Sequence, residues 1–307
     1  MRDSFINSIY KVTKLNRNVL CIVGDLGAFL LRNYIRDFPK NYYNMGATEQ
    51  NIVGVAAGLA MSGKIPFVYS ITPFITSRCY EQIKIDVCYN NANVKLVGVG
   101  SGVSYGTMGS THHSLEDIAI MRALPNMVII SPSDPQEVEE AVFAAMKYTG
   151  PIYIRLTLQS KPLDYNRGNF KIGKGRIVKR GTDAGIVATG EMVGIAIDAA
   201  ETLKKYNINC YVVNLHTIKP IDKTLIKQLS RECKALISIE EHSVIGGLGS
   251  AVSCVISQLS ENKAHFKIMG FNDVFCKEYS QDKMKIFKKY GLSADHLAKE
   301  MLKLYNL

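Results

Sequence analysis

The sequence predicts an α/β protein made of two three-layer α/β/α domains with mostly parallel sheets. Apolar, β-rich runs alternate along the chain with segments of helical periodicity, which is typical of parallel sheets covered on both faces. The alternation is broken once, at about 161–184, by a polar stretch rich in Gly, Lys and Arg that we interpret as a linker. We therefore expect a first domain at 1–160 and a smaller second domain at 185–307.

Five strands and five helices are predicted in the first domain. The strand-like runs lie at 18–25, 64–70, 93–100, 126–132 and 151–158, and the helical patterns lie at 28–38, after Glu49, and at 77–91, 114–124 and 134–148. The second domain continues with strands at 184–190, 209–215, 234–240 and 266–271, and with helices at 192–206, from about 221, from 246 and near 293–305. Helical crossovers between strands predict parallel pairing.

Composition disfavours several classes of protein. At 307 residues and 47% hydrophobic, the chain can bury two cores. Its apolar runs are shorter than the roughly 20 residues that cross a bilayer, and its first 18 residues lack the apolar core of a signal peptide. We expect a soluble, cytoplasmic protein without membrane contact. The charge of +10 is spread out, and no nucleic-acid module accompanies it, so no nucleic-acid partner is predicted.

Disulfide and metal sites are not predicted on this chain. The seven cysteines are odd in number and form no CxxC pair, which argues against a disulfide framework or a zinc knuckle. Most are expected to be small buried side chains. The acidic, glycine-rich stretch at 240–249 lacks a second set of ligands with metal spacing. We interpret it as a tight turn before a helix.

Two carboxylates are candidate site residues. Asp25 lies after the first strand, at the edge where open α/β sheets bind ligands, although an ordinary strand-to-helix turn also accounts for it. Glu49 opens a helix of small and apolar residues. Thr48 could cap that helix, and the positive end of the helix dipole would stabilise the carboxylate. Capping and a chemical role for Glu49 both remain open at this point.

Two adjacent histidines, His112 and His113, follow a glycine-containing loop. The loop comes directly after a predicted strand and precedes a helix that Ser114 is expected to cap. A single histidine is usually structural, whereas two together on a loop at the carboxyl end of a strand indicate a candidate site.

Four stretches in order resemble the C-terminal half of transketolase, as found in split, two-subunit enzymes. They are GATEQNIVGVAAGLAMSGKIPFV, THHSLEDIAIMRALPNMVIISPSDPQE, VVNLHTIKPID and EEHSVIGGLGSAV. The resemblance covers nearly the whole chain, and extends more distantly to 1-deoxyxylulose-5-phosphate synthase and the pyruvate dehydrogenase beta subunit. It implies a first domain that binds the aminopyrimidine of thiamine diphosphate (thiamine pyrophosphate) and a transketolase C-terminal domain that completes a dimer.

The resemblance implies cofactor roles for four residues. Glu49 matches the carboxylate that hydrogen-bonds the pyrimidine ring nitrogen opposite the amino group, which favours the imino tautomer that removes the thiazolium proton. Phe74 matches an aromatic that lines the pyrimidine pocket, and Ile71 stands where a second aromatic is common. Asp25 matches an acidic residue close to the cofactor.

Substrate roles are implied at four further positions. His112 matches a histidine that contacts the donor sugar and could stabilise the developing alkoxide, and His113 is a further candidate. Met108 stands where an aspartate usually reads a donor hydroxyl, and Leu158 where an arginine usually grips the substrate phosphate; Arg155 lies nearby but on the other side of the strand. Losing such a phosphate contact costs on the order of 2 kcal/mol or more. We therefore expect a modified, unphosphorylated or nucleotide-linked sugar.

The family's first half is absent from this sequence. Its metal-diphosphate motif, GDG followed by a distant asparagine, has no counterpart, because GDLG at 24–27 aligns with a different family position. The resemblance therefore implies a separate N-terminal transketolase subunit that holds Mg²⁺ and the diphosphate. The expected active unit is a heterotetramer, a dimer of two such pairs, with the site at the interface.

The expected activity is that of a transferase of carbohydrate metabolism, moving a two-carbon ketol unit between sugars. One alternative is a subunit of a 2-oxo acid decarboxylating or deoxyxylulose phosphate synthase-like enzyme. The other is a non-catalytic regulatory paralogue, which Met108 and Leu158 favour and which Glu49, Phe74 and His112 together oppose.

Overall fold

Two mostly parallel sheets organise the chain, and the computed structural model describes residues 1–158, 160–261 and 264–307. The strands are β1 (Val19–Val23), β2 (Tyr42–Asn44), β3 (Ile65–Ile71), β4 (Lys95–Val99), β5 (Val128–Ile130), β6 (Ile152–Leu156), β7 (Arg176–Lys179), β8 (Ala184–Ala188), β9 (Cys210–Asn214), β10 (Thr217–Lys219), β11 (Ala235–Ser243) and β12 (His265–Phe271).

Helices cover both faces of each sheet. They are α1 (Arg2–Leu15), α2 (Arg32–Asp37), α3 (Glu49–Met61), α4 (Thr72–Ile75), α5 (Tyr80–Gln82), α6 (Asp117–Ala123), α7 (Pro135–Lys147), α8 (Met192–Lys204), α9 (Lys223–Glu232), α10 (Leu248–Ile256), α11 (Lys283–Lys289) and α12 (Ala294–Tyr305). Short 3₁₀ helices lie at Pro39–Asn41 and Gly106–Thr111, and a π-helix lies at Ile83–Tyr89. Within the described residues, no helix has the length and apolar character needed to cross a membrane.

The first sheet has the strand order β10-β5-β6-β4-β3-β1-β2. Every pair is parallel except β10 with β5. Strands β1, β4 and β6 are buried at every position, as expected for strands covered on both faces. One core lies under α1 and α7, and the opposite core lies under α3, the π-helix and α6.

The second sheet has the order β12-β11-β8-β9-β7, with β7 antiparallel to β9 at the edge. Helices α8 and α12 pack on one face, and α9 and α10 on the other. The predicted fold class, two α/β layered units with mostly parallel sheets, is thus confirmed.

Several elements differ from the sequence-based expectations. Strand β7 lies within the stretch interpreted as linker, where its basic composition hid an edge strand. Strand β10 follows β9 in the chain but pairs with the first sheet. The helix expected at 77–91 is a short α-helix continued by the π-helix. Ser114 does not cap the following helix: its backbone bridges to Gly102, and α6 begins at Asp117 with Glu116 at its N-cap.

A buried polar interface joins the two sheets. Arg155 of β6 forms an ion pair with Asp117 of α6, with Nε and Oδ2 2.7 Å apart, and also donates to the carbonyl oxygen of Glu241 at 2.9 Å. The Glu241 carboxylate in turn accepts from the backbone N–H of Val103 at 2.8 Å. Because these contacts fix the chain on either side of residues 104–116, they hold in place the loop that carries the two histidines.

Candidate functional site

Glu49 is the first residue of α3, and its side chain is only 2% exposed. It lies against the turn that follows β1, where a Cβ added to Gly24 would come within 3.2 Å of Glu49 Oε1. Thr48 occupies the N-cap position but its hydroxyl donates to the carbonyl of Met45, at 2.9 Å, and makes no capping bond. The expectation that the Thr48 side chain caps the helix is therefore wrong, and the helix dipole favours the Glu49 carboxylate directly.

Both carboxylate oxygens of Glu49 are engaged. The hydroxyl of Ser70, the residue before the last of β3, donates to Oε1 at 3.0 Å. The Nη1 of Arg78 donates to Oε2 at 2.9 Å, although the Arg78 side chain is 45% exposed. The Ser70 bond can hold the carboxylate in its orientation. Arg78, which reaches Glu49 from the surface, can then be replaced by another charge-assisted donor at Oε2.

An aromatic wall lies beside Glu49. The guanidinium carbon of Arg78 stands 4.0 Å from the centroid of the Phe74 ring. His112 meets Phe74 edge-on at 5.2 Å between ring centroids, and Tyr105 lies against His112 at 5.6 Å. His112 also shares a hydrogen bond of 3.0 Å with the hydroxyl of Thr111 through Nδ1. Through Arg78, the buried carboxylate is thus connected to a surface formed by the Phe74 ring and the His112 imidazole.

Ile71 and Asp25 take different places at the same sheet edge. Ile71 ends β3 and is the N-cap of α4, the helix that carries Phe74. Asp25 follows β1 in a left-handed conformation with φ of 54°. Its backbone N–H donates to Asn44 Oδ1 at 3.1 Å, and its carboxylate accepts from Asn44 Nδ2 at 3.2 Å. The Asp25 side chain is exposed, and its hydrogen bond to Asn44 sets its orientation.

His113 faces a different cavity from His112. It is 5% exposed and lines a pocket of about 290 Å³ together with Ser243, at the end of β11, and Phe275 and Cys276. The backbone of Gly106 lies near the ring, but neither ring nitrogen forms a hydrogen bond of ordinary geometry among the described residues. Burial lowers the pKa of His113, so the ring is neutral near pH 7.

The two departures from the family pattern lie in unlike surroundings. Met108 is 53% exposed, in the 3₁₀ helix before the histidines. Leu158 is partly buried against the core under α1 and α7. Arg155 donates to the Asp117 carboxylate and to the carbonyl oxygens of Ser114 and Glu241. None of these contacts brings its guanidinium to the surface that carries Phe74 and His112.

Sequence reasoning missed three residues of this surface: Ser70, Arg78 and Tyr105. Each is brought to it by tertiary packing, because Ser70 and Arg78 lie 21 and 29 positions from Glu49 in the chain. An arginine four residues after an aromatic, on the segment that follows a strand, was the available signal for Arg78. No comparable signal marked Ser70 or Tyr105.

Metal and thiol chemistry have little support in the described part of the chain. No group of three or more His, Cys, Asp or Glu side chains there could hold a metal ion. Six of the seven cysteines are buried, and Cys254 is exposed. Burial raises the pKa of Cys21 and Cys79 to about 12, so these thiols stay protonated at neutral pH.

Comparison with known families identifies both halves of the chain. Residues 1–162 match the family described as the transketolase pyrimidine-binding domain, and residues 173–297 match the transketolase C-terminal domain. The chain belongs to the transketolase family. The resemblance inferred from the four sequence stretches is thereby confirmed, and the family to which the chain belongs depends on thiamine diphosphate.

Relatives of similar length are subunits of split enzymes. An apulose-4-phosphate transketolase subunit from Actinobacillus succinogenes is 42% identical over 73% of this chain and 73% of its own length. A 6-deoxy-6-sulfo-D-fructose transketolase subunit from Clostridium sp. is 34% identical over 97% and 92%. A solved structure described as a split gene transketolase, in an inactive beta4 tetramer, superposes with a TM-score of 0.91 at 34% identity, covering 100% of this chain and 98% of that one. The family and these relatives place the chain among transferases assembled from separate subunits.

Proposed function

We propose that this chain is the C-terminal subunit of a thiamine diphosphate-dependent transketolase and that Glu49 activates the cofactor for transfer of a two-carbon ketol unit between sugars. The observation that carries the proposal is the buried Glu49 carboxylate, connected through Arg78 to the Phe74 ring that His112 meets edge-on. The regulatory-paralogue alternative would not require that Glu49, Phe74 and His112 stay together.

The residues present fit the pyrimidine end of thiamine diphosphate. A flat apolar wall is available at Phe74, and Ile71 adds an aliphatic side chain at the end of β3. Gly24 has no side chain to cover Glu49, where a Cβ would lie 3.2 Å from Oε1, so the carboxylate can be approached closely. Asp25 and Asn44 stand at the rim of the same edge. We assign the diphosphate and Mg²⁺ to an N-terminal partner subunit.

The chain's own side chains account for the acid-base chemistry. When bound, thiamine diphosphate supplies the carbon nucleophile needed to cleave and form the carbon-carbon bond of a ketose. With the cofactor bound, Glu49 would share a proton with the pyrimidine nitrogen through Oε2, while Ser70 fixes Oε1. Its burial excludes water, which strengthens that hydrogen bond. We assign His112 the hydrogen bond to the donor sugar's oxygen, and Thr111 fixes its ring orientation.

We propose a sugar with an altered distal end as the substrate. Leu158 offers no charge for a phosphate, Met108 offers no carboxylate for a hydroxyl, and Arg155 is committed to Asp117. The two relatives carry names for two differently decorated sugars, one with a phosphate and one with a sulfonate. Because His113 lines a separate cavity, we assign the sugar contact to His112 rather than to His113.

The test is ketol transfer by this chain co-produced with an N-terminal transketolase subunit. Wild type and Glu49→Gln are compared on a panel of phosphorylated, sulfonated and unphosphorylated ketoses. We expect activity to require both chains and Mg²⁺, and Glu49→Gln to lower kcat by about 10²–10⁴, the usual contribution of a positioned acid-base group. The control is Glu139→Gln, which should leave kcat unchanged, because Glu139 is an exposed carboxylate paired with Lys11 on the surface.

The donor profile separates the alternatives. Consumption of pyruvate with release of carbon dioxide would contradict ketol transfer and favour the decarboxylating alternative. Cofactor binding without turnover of any ketose or 2-oxo acid would favour the regulatory paralogue. Efficient use of ordinary phosphoketoses, such as xylulose 5-phosphate, would leave the activity intact and overturn the proposed substrate class.

A further inference from the structure

Arg78 makes the two contacts that an aminopyrimidine would make at this site. Its guanidinium lies 4.0 Å from the Phe74 ring centroid, and its Nη1 donates to Glu49 Oε2 at 2.9 Å. Guanidinium and aminopyrimidine are both flat groups that present nitrogen-bound hydrogens in their plane. Arg78 therefore occupies the face of the Phe74 ring and the Oε2 atom of Glu49.

We infer that Arg78 occupies the pyrimidine position of the cofactor-free chain and must leave it before thiamine diphosphate can bind. This inference rests on the proposed function, because it takes Glu49 and Phe74 as the pyrimidine site. It assigns Arg78 a role in controlling access of the cofactor, which neither its position in the sequence nor the family description indicates.

The geometry allows Arg78 to leave while Glu49 stays in place. The Arg78 side chain is 45% exposed whereas that of Glu49 is 2% exposed, so the arginine can return to water along an open path. Ser70 keeps its bond to Oε1 when Arg78 moves. The backbone N–H of Arg78 donates to the carbonyl of Pro73 at 3.2 Å, which anchors the main chain while the side chain rotates.

The same contact explains how the buried charge is tolerated without cofactor. A carboxylate removed from water needs a charged or hydrogen-bonding partner. Among the described residues, Ser70 and Arg78 are the side chains that bond Glu49. Arg78 therefore stabilises the cofactor-free chain and opposes cofactor binding. Removing it should change these two properties in opposite directions.

That pair of opposite effects distinguishes an occupant from a structural arginine. If Arg78 merely oriented Glu49 for the cofactor, its loss would weaken both the fold and cofactor binding. If it occupies the pyrimidine position, its loss lowers stability but tightens binding. The gain should be about fivefold in Kd, the size expected when a half-exposed ion pair and its ring contact no longer have to be broken.

The experiment compares wild type, Arg78→Met, Arg78→Lys and Arg17→Met, each assembled with the N-terminal subunit. Thiamine diphosphate affinity is measured by calorimetry in the presence of Mg²⁺, and the urea midpoint is measured on each full chain alone. Arg17 is the matched control, because its guanidinium also lies over a phenylalanine, Phe38, at 4.4 Å, but at the amino end of β1. Lysine keeps the charge without the flat group and should give an intermediate affinity.

We expect Arg78→Met to bind thiamine diphosphate about fivefold more tightly while unfolding at lower urea, with Arg17→Met unchanged in affinity. Wild-type binding with equal or weaker binding by Arg78→Met would overturn the inference and leave the proposed function standing. Failure of every variant to bind thiamine diphosphate would overturn both.

Discussion

Replacing Asp117 by asparagine is expected to lower the free energy of unfolding by about 3–5 kcal/mol, because the change leaves a buried guanidinium without its counter-charge. Asp117 is fully buried, and Arg155 is 3% exposed. Asp117 Oδ2 accepts from Arg155 Nε at 2.7 Å and from Tyr153 Oη at 2.6 Å. The amide can replace one acceptor, but it cannot neutralise the arginine.

The assay is urea unfolding at pH 7 followed by circular dichroism, with the melting temperature as a second measure. For a chain of this size each kcal/mol shifts Tm by about 2–4 °C, so a fall of roughly 6–20 °C is expected. Burial alone would raise the pKa of Asp117, but Arg155, assisted by His242 and Tyr153, outweighs it and holds that pKa below the ordinary 3.8. The stabilisation is therefore complete above pH 3.8 and is lost as the pH falls through the folded-state pKa.

Two further variants make the result interpretable. Asp117→Asn with Arg155→Met removes the stranded charge and should recover part of the loss. Glu139→Gln breaks the exposed pair with Lys11 and should cost less than about 1 kcal/mol. If Asp117→Asn unfolds within about 1 kcal/mol of wild type at pH 7, the attribution of stability to a dry ion pair is refuted.

Three other predictions concern stability. Gly102→Ala should lower the free energy of unfolding, measured in urea, by at least about 2 kcal/mol. The reason is that Gly102 has φ of 64° and a Cβ there would come within 2.1 Å of Glu241. As the control, Gly58→Ala should stabilise the isolated chain by up to about 1 kcal/mol, because its Cβ would meet no described atom within 4 Å. Burial raises the pKa of Glu240 from 4.5 to about 7. The free energy of unfolding therefore has its full contribution from protonated Glu240 below pH 4.5 and loses it as the pH rises toward 7. Glu240→Gln should remove about 3 kcal/mol of that loss when unfolding is measured from pH 4.5 to pH 7. His113→Leu should keep Tm within a few degrees of wild type, about 1 kcal/mol, since neither ring nitrogen bonds a described residue; a larger fall would mean that the ring has a partner.

The fold was predictable for strands that are buried throughout. The prediction failed for short strands at the edges of the first sheet. Strands β1, β4 and β6 are apolar runs buried throughout, so composition alone marks them. Strand β2 has three residues and is half exposed, and β10 has three residues that leave one half of the chain to pair with the other. Neither length nor periodicity distinguishes such strands from loops.

The first helix was missed for a different reason. In α1 the residues Phe5, Ile9 and Val12 are buried, and their spacing follows one helical face. The sequence therefore carries a periodic signal for α1, whereas it carries none for β2 and β10.

The candidate site was predictable in its anchors but not in its connections. Phe74 and His112 each follow a predicted strand, and parallel strands bring such positions to one sheet edge. Glu49 follows β2, which the sequence does not mark, so its place was predicted from the family resemblance. The partner that neutralises Glu49 could not be foreseen, because Arg78 lies beyond the short helix α4 and reaches Glu49 only through tertiary packing. His112 and His113 are adjacent in sequence yet face different surroundings, which the motif itself does not predict.

The distribution of charge around the site bears on how related subunits could serve different sugars. This chain contributes the carboxylate, the aromatic wall and an imidazole, while Arg155 is held in the interface by Asp117 and Leu158 packs against a core. An anionic group at the far end of a sugar would then have to be recognised largely by the partner subunit. We infer that specificity among such enzymes is divided, with activation of the cofactor in this subunit and recognition of the sugar's terminal group across the interface. Exchanging N-terminal subunits between two split transketolases should accordingly carry the preference for the terminal group with the exchanged chain, whereas transfer of that preference with the C-terminal subunit would contradict this division.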